Sequence, residues 1–343
     1  MKMKKTLAML LAGAMCAGMM AGCGSTGSTT KDADDAAASN KSFNGKISFI
    51  ISNKDEFQSD LDQSAKAAAE AKGVKLSSVD CAADQDKENE AIQAAVENGA
   101  DALMVILADD TRAADAIEAA GDVPIVFVNR IPQDTGLLDD THIYVGSDEH
   151  TSGVMQGEML AEALKAADKK EINYLMVQGT AGLMHTTLRS EGVLTALKDA
   201  GITANAITEP IDCGYDRSTA MQQVEALIAG GLDISKLDVV IANNDAMAGG
   251  AVEAIKQAGD GKLGDIMVVG VDGTNAGLAA LINGEMTATV FQNATGQGSA
   301  SVQAAINLAS GAKVNEGISY EMEDNCIWIP FEKITADNVG DYY

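Results

Sequence analysis

The feature that most limits what this chain can become is its regular passage from a short, unbroken apolar run to an Ala-rich helical pattern. Residues 46–51 (KISFII) form the first run, and the DLDQSAKAAAEAKG that follows has the Ala, Leu, Lys and Glu content of a helix, with Gly73 as its stop. Strands over 74–79, 101–107 and 123–128 then alternate with helices over 87–98 and 110–120. The rhythm restarts at 172–177 and continues through 191–200, 203–208, 218–229, 238–242, 246–258, 266–271 and a last strand at 287–291. Strands this apolar, with no polar alternation, belong in a parallel sheet covered by helices on both faces. The pattern predicts an α/β chain of two doubly wound parallel-sheet domains. A length of 343 residues suits two domains, and a 46% hydrophobic content can build a core in each.

In sheets of this kind ligands bind beyond the carboxyl ends of the strands, so the polar and aromatic residues that follow each strand are the candidate lining. They are Asp55 and Phe57, Asp109 and Asp110, Asn129 and Arg130, the segment 180–189 with His185 and Arg189, Tyr215, Asn244 among 243–245, Asp272 and Gln292. Carboxylates accept from hydroxyls, guanidinium and amide groups donate to hydroxyl oxygens, and aromatic faces cover C–H patches. Such a lining suits a neutral polyol, which presents a donor or acceptor at nearly every carbon. An Asp or Asn after a strand is also a common helix cap, so the weight lies in the set. The set holds no activated nucleophile and no carboxylate–histidine–serine arrangement, so no enzyme is expected. His142, His150 and His185 lack metal-ligand spacing, and neither a metal nor a cofactor is expected.

The amino terminus reads separately. Lys2, Lys4 and Lys5 precede an apolar stretch over 7–20 and then Met20-Ala21-Gly22-Cys23, a three-part secretory signal over 1–22 that is too short to span a bilayer. The tetrad resembles a bacterial lipobox, which implies cleavage before Cys23 and lipidation of that residue. Residues 23–43, rich in Gly, Ser, Thr, Ala and Asp, read as a lipidated flexible tether. Three further cysteines, Cys81, Cys213 and Cys326, are widely spaced and odd in number, and read as isolated buried residues. The net charge of −26 excludes a nucleic-acid partner. Removal of 1–22 takes three lysines and no acids, which moves the charge to −29, an excess best placed on a solvated outer surface.

Five segments in order carry a family resemblance: FVNRIP (127–132), YVGSDEHTSGVMQGEML (144–160), VVIANNDAMAGGAVEAI (239–255), VGVDGT (269–274) and TVFQN (289–293). Over about residues 45 to 335 the chain resembles the galactose/glucose- and ribose-binding members of the type I periplasmic sugar-binding proteins, the solute receptors of ABC importers. The resemblance implies a monosaccharide held between two lobes joined by a three-crossover hinge, an ABC permease as partner, and a monomer lipid-anchored on the outer face of the cell membrane. It implies lobes of 44–147 plus 293–326 and of 148–292 plus 327–343. Asn244, Asp272, Gln292 and Arg189 fall at the family's hydroxyl-contacting positions, Tyr215 at its ring-stacking aromatic, and Asp55 and Phe57 in its first-strand loop. Asn129-Arg130 mixes the ribose-type and galactose-type pairs, and His185 and Asp109 stand in the loops where the family places further contacts. The calcium loop of the galactose-type proteins has no counterpart in the short, basic segment 166–172, so no structural calcium is expected. The alternative expectation is a same-fold receptor for a non-sugar small molecule, such as a furanose-like signalling compound.

Overall fold

A computed structural model describes residues 43–343. The expected signal, Cys23 and the tether up to residue 42 lie outside the described residues. The chain begins with β1 (Lys46–Ile51), α1 (Glu56–Ala71), β2 (Lys75–Asp80), α2 (Gln85–Glu97), β3 (Ala102–Val105), α3 (Ala113–Ala120), β4 (Ile125–Val128) and β5 (His142–Gly146). The second series is α4 (Glu149–Ala166), β6 (Glu171–Gln178), α5 (Met184–Asp199), β7 (Thr203–Ala206), β8 (Ile211–Asp212), α6 (Arg217–Ala229), β9 (Val239–Ala242), α7 (Asp245–Ala258), β10 (Met267–Asp272), α8 (Asn275–Ile282) and β11 (Ala288–Phe291). After these come α9 (Ala294–Ser310), β12 (Glu321–Glu323), β13 (Cys326–Trp328) and β14 (Glu332–Thr335).

The strands form two sheets. The first runs in the order β12-β13-β5-β4-β3-β1-β2, parallel except for the β12–β13 pair. The second runs β14-β11-β10-β9-β6-β7, with β8 beside β6 and β14 antiparallel to β11. Central strands β3, β4 and β9 are buried along their whole length, because each sheet is covered on both faces. In the first, α1 and α9 pack one side and α2 and α3 the other. In the second, α4 and α5 pack one side and α6, α7 and α8 the other. Both sheets reverse strand order, between β1 and β3 and between β6 and β9. A doubly wound sheet opens a crevice at such a reversal.

The chain passes between the sheets from β5 to α4, from β11 to α9 and from β13 to β14. A boundary after residue 326 is wrong by two residues, since Ile327 and Trp328 pair with Val145 and Gly146 of the first sheet. The chain leaves that sheet only after Trp328, whose ring sits edge-on to Tyr144 at 5.4 Å. One helix also departs from its expected range. α5 begins at Met184 rather than 191, and its preceding Leu183 offers no side-chain cap that the sequence could have announced. Cys81, Cys213 and Cys326 are free and buried.

Candidate functional site

Strand ends of both sheets meet across a cavity with about 280 Å³ of empty space. Its lining comprises Asp55, Phe57, Gln58, Asn129 and Arg130 from the first sheet's side, and His185, Arg189, Tyr215, Asn244, Asp272 and Gln292 from the second's. Ten of these were expected from the sequence, and Gln58 was not.

Two of the residues double as helix caps. Asp55 accepts from the Gln58 amide at 2.8 Å at the start of α1, and Asn244 accepts from the Met247 amide at 2.9 Å at the start of α7. The Asn244 side-chain nitrogen also donates to the Tyr215 carbonyl at 3.4 Å. Three others have left-handed backbones, with φ of 64° at Asn129, 63° at Tyr215 and 119° at Asp272. Side chains rarely tolerate such angles, and strain of this kind collects at binding sites.

The two arginines differ in their surroundings. Each of the three Arg189 nitrogens donates to protein: Nε to Glu149 at 2.6 Å, Nη1 to the Asn243 carbonyl at 2.7 Å and Nη2 to Gln292 at 3.1 Å, and Asp272 lies 3.7 Å from Nη1. Burial works against its charge, but Glu149, Tyr215 and Asp272 hold it more firmly protonated than usual. Glu149, in the first turn of α4, was not expected from the sequence. Arg130 is as deeply buried, yet its Nη1 donates only to the Leu107 carbonyl, at 2.8 Å, and its Nε has no partner among the described residues. Burial pulls its pKa down, with Asp55 the nearest opposing influence. The Gln292 side-chain nitrogen is likewise buried and unpartnered. Two residues of the lining thus each carry a buried donor with no partner among the described residues, which is costly.

The acids and rings complete the arrangement. Burial raises the pKa of Asp272 well above the usual range, against the pull of Arg189, and raises that of Asp55, against the Gln58 amide and Arg130. His185 stacks on Tyr215 with ring centroids 5.1 Å apart, and Thr186 holds the Tyr215 hydroxyl at 2.7 Å. Burial, Arg130 and Arg189 push the His185 pKa well down, which keeps the imidazole neutral. The Tyr215 ring also rests against Gly179, where any side chain would collide with it. Tyr215 is therefore a buttressed ring that shares its stacking surface with His185.

Asp109 does not line the cavity. Its carboxylate caps a single 3-10 turn over Asp110–Arg112, accepting from the Thr111 amide at 3.0 Å and the Thr111 hydroxyl at 2.6 Å. Among the described residues no group of three or more His, Cys, Asp or Glu is placed to hold a metal ion, and no helix is long and apolar enough to cross a membrane.

Two parallel sheets facing each other over a polar cavity define a two-lobed solute receptor. The chain belongs to the periplasmic binding protein family, whose domain model matches residues 47–313. It is 30% identical over 294 residues to the D-galactose/methyl-galactoside binding periplasmic protein of Haemophilus influenzae, covering 82% of this chain and 86% of that one. It is 28% identical over 318 residues to a putative rhizopine-binding protein of Rhizobium meliloti, covering 92% and 94%. Among solved structures it resembles an ABC transporter solute binding protein of Bacillus halodurans with bound myo-inositol, with a TM-score of 0.73, 30% identity and coverage of 88% of this chain and 98% of that one. The family is one of extracytoplasmic solute-binding proteins, so the chain is a receptor and not an enzyme.

Proposed function

We propose that this protein captures a neutral monosaccharide, or a cyclic polyol of the same size, between its two lobes and delivers it to an ABC importer. The observation that carries the reading is the pair of buried, unpartnered donors, Arg130 Nε and Gln292 Nε2, in a cavity that also holds Asp55 and Asp272. Hydroxyls can serve both kinds of group at once, accepting from the donors and donating to the carboxylates. Acidic and basic groups are mixed in the lining, Asp55 and Asp272 with Arg130 and Arg189, which favours a ligand whose groups both donate and accept over one that carries a single sign of charge. Phe57 from one side and the His185–Tyr215 stack from the other offer ring faces to the C–H patches of such a ligand. By their descriptions two of the relatives named above bind D-galactose or methyl-galactoside and myo-inositol, neutral polyols of this class.

The working unit is two lobes, 44–147 plus 293–328 and 148–292 plus 329–343, with the third crossover after Trp328. Asp55, Phe57, Asn129 and Arg130 contact the ligand from the first lobe. Arg189, Tyr215, Asn244, Asp272, Gln292 and His185 contact it from the second. Only the closed form offers both halves of this set, so the ligand shifts the lobes toward closure by its preference for that form. The receptor is a monomer held to the outer face of the membrane by lipid on Cys23.

Titration calorimetry against D-galactose, D-glucose, D-ribose and myo-inositol, with a uronic acid and an amino sugar as charged controls, tests the reading. Mass spectrometry of co-purified ligand complements it. A neutral compound is expected to bind tightest. Arg130→Gln is expected to weaken it by about 10–150-fold, the worth of one hydrogen bond to a charged group. Tightest binding by a charged compound, or by a co-purified non-polyol, would overturn it.

A further inference from the structure

We infer that Asp110, which does not line the cavity, is a positioning residue that latches the second lobe onto the first by capping α5 across the cleft. The inference rests on the receptor reading above.

Of the nine α-helices in the described residues, seven carry a side-chain cap of their own. α3 continues a turn already capped by Asp109. α5 is left without one, because Leu183 precedes it. Its Met184 amide instead donates to Asp110 Oδ2 at 2.6 Å, from the other sheet's side of the cavity. Away from the connecting segments this is the one hydrogen bond among the described residues that spans the cleft. An anionic oxygen at a helix N-terminus satisfies a free amide and complements the helix dipole.

The arm that presents Asp110 is itself braced. Glu88 accepts from the Ala108 amide at 2.6 Å, Gln85 accepts from the Asp109 amide at 3.0 Å, and Arg130 donates to the Leu107 carbonyl at 2.8 Å. The carboxylate is 2% exposed, and its second oxygen, Oδ1, is buried without a partner. A buried carboxylate with an idle oxygen is costly, so a side chain fixed in this way needs the helix end opposite it. The capped turn leads directly into the site: His185 follows Met184, and Arg189 lies about one helical turn further on. Separation of the lobes leaves the α5 amide without its cap, and closure restores it. Asp110 thus rewards closure without touching the ligand, and it acts on how long the ligand stays rather than on how fast it arrives.

Asp110→Ala and Asp110→Asn test this. Stopped-flow kinetics with whichever of D-galactose, D-ribose or myo-inositol binds wild type should show koff raised by about 3–30-fold in Asp110→Ala, the range of a lost helix cap, with kon unchanged. Asn keeps an acceptor oxygen and should recover part of the loss. In amide hydrogen exchange of the ligand-bound protein, Met184 should exchange faster in the Ala variant than in wild type, and the melting temperature of the ligand-free protein should stay within a degree or two. Unchanged koff with unchanged Met184 exchange overturns the latch, and so does a ligand-free protein destabilised as much as the bound one. The exchange comparison is made on protein closed by any bound compound, the co-purified one included, so it decides the latch even if no sugar binds and the sugar reading fails.

Discussion

At the scale of single residues, the site contrasts an arginine whose three nitrogens all bond to protein with one whose Nε has no partner among the described residues. Arg189 and Glu149 are both at most 5% exposed and share a 2.6 Å bond. Removing one partner strands the other charge in a low-dielectric interior. Glu149→Ala is therefore expected to cost about 3–5 kcal/mol of folding stability, read by chemical denaturation of the ligand-free protein. A cost under 1 kcal/mol would show that water reaches the pair. The residues that follow strands were legible because the doubly wound architecture dictates where strand ends point, whatever the side chains. Glu149 and Gln58 were not, since a polar residue in the first turn of a helix reads equally well as a partner for the helix dipole. Of the adjacent acids, both expected in the lining, Asp109 is a turn cap and Asp110 is buried, and neither lines the cavity. Which acid faces in depends on a 3-10 turn that the sequence read as a continuous helix over 110–120.

At the scale of elements, α4 and α5 approach closely enough that three glycines define their contact. A Cβ at Gly153 would meet the Arg189 carbonyl, one at Gly157 the Val193 carbonyl, and one at Gly192 the His150 carbonyl, all at short range. The backbone that carries Arg189 is thus seated directly on α4. Gly153→Ala is expected to cost about 1–3 kcal/mol by overpacking and also to weaken ligand binding, because the displaced atoms belong to Arg189. Denaturation and calorimetry on the same variant check both, and lost stability at full affinity would break the link between helix seat and site. The strands and most helices were legible from apolar runs and stop signals. The early start of α5 was not, because its cap comes from a residue distant in sequence, a dependence that no local pattern encodes.

At the scale of the whole molecule, each lobe hides a carboxyl group whose folded pKa burial raises to about 7: Glu88 in the first and Asp245 in the second. Their unfolded values are about 4.3 and 3.9. Between about pH 4 and pH 7 these two groups therefore bind more protons in the folded chain than in the unfolded one, and their contribution to stability falls as pH rises through that window. Denaturation midpoints are expected to decline from pH 5 to pH 7.5, and the double variant Glu88→Gln/Asp245→Asn should flatten the slope. A rising wild-type midpoint over the same range would contradict the assignment. A receptor exposed to the surroundings of a cell would then grip its fold more firmly in mildly acidic conditions. The left-handed backbones at Asn129, Tyr215 and Asp272 have a consequence of their own for the molecule's history. At each, glycine would be the easier residue to fold, so a lineage that lost its ligand would be free to drift there toward glycine and gain stability by doing so. Asparagine, tyrosine and aspartate hold these three positions against the preference of their own backbone.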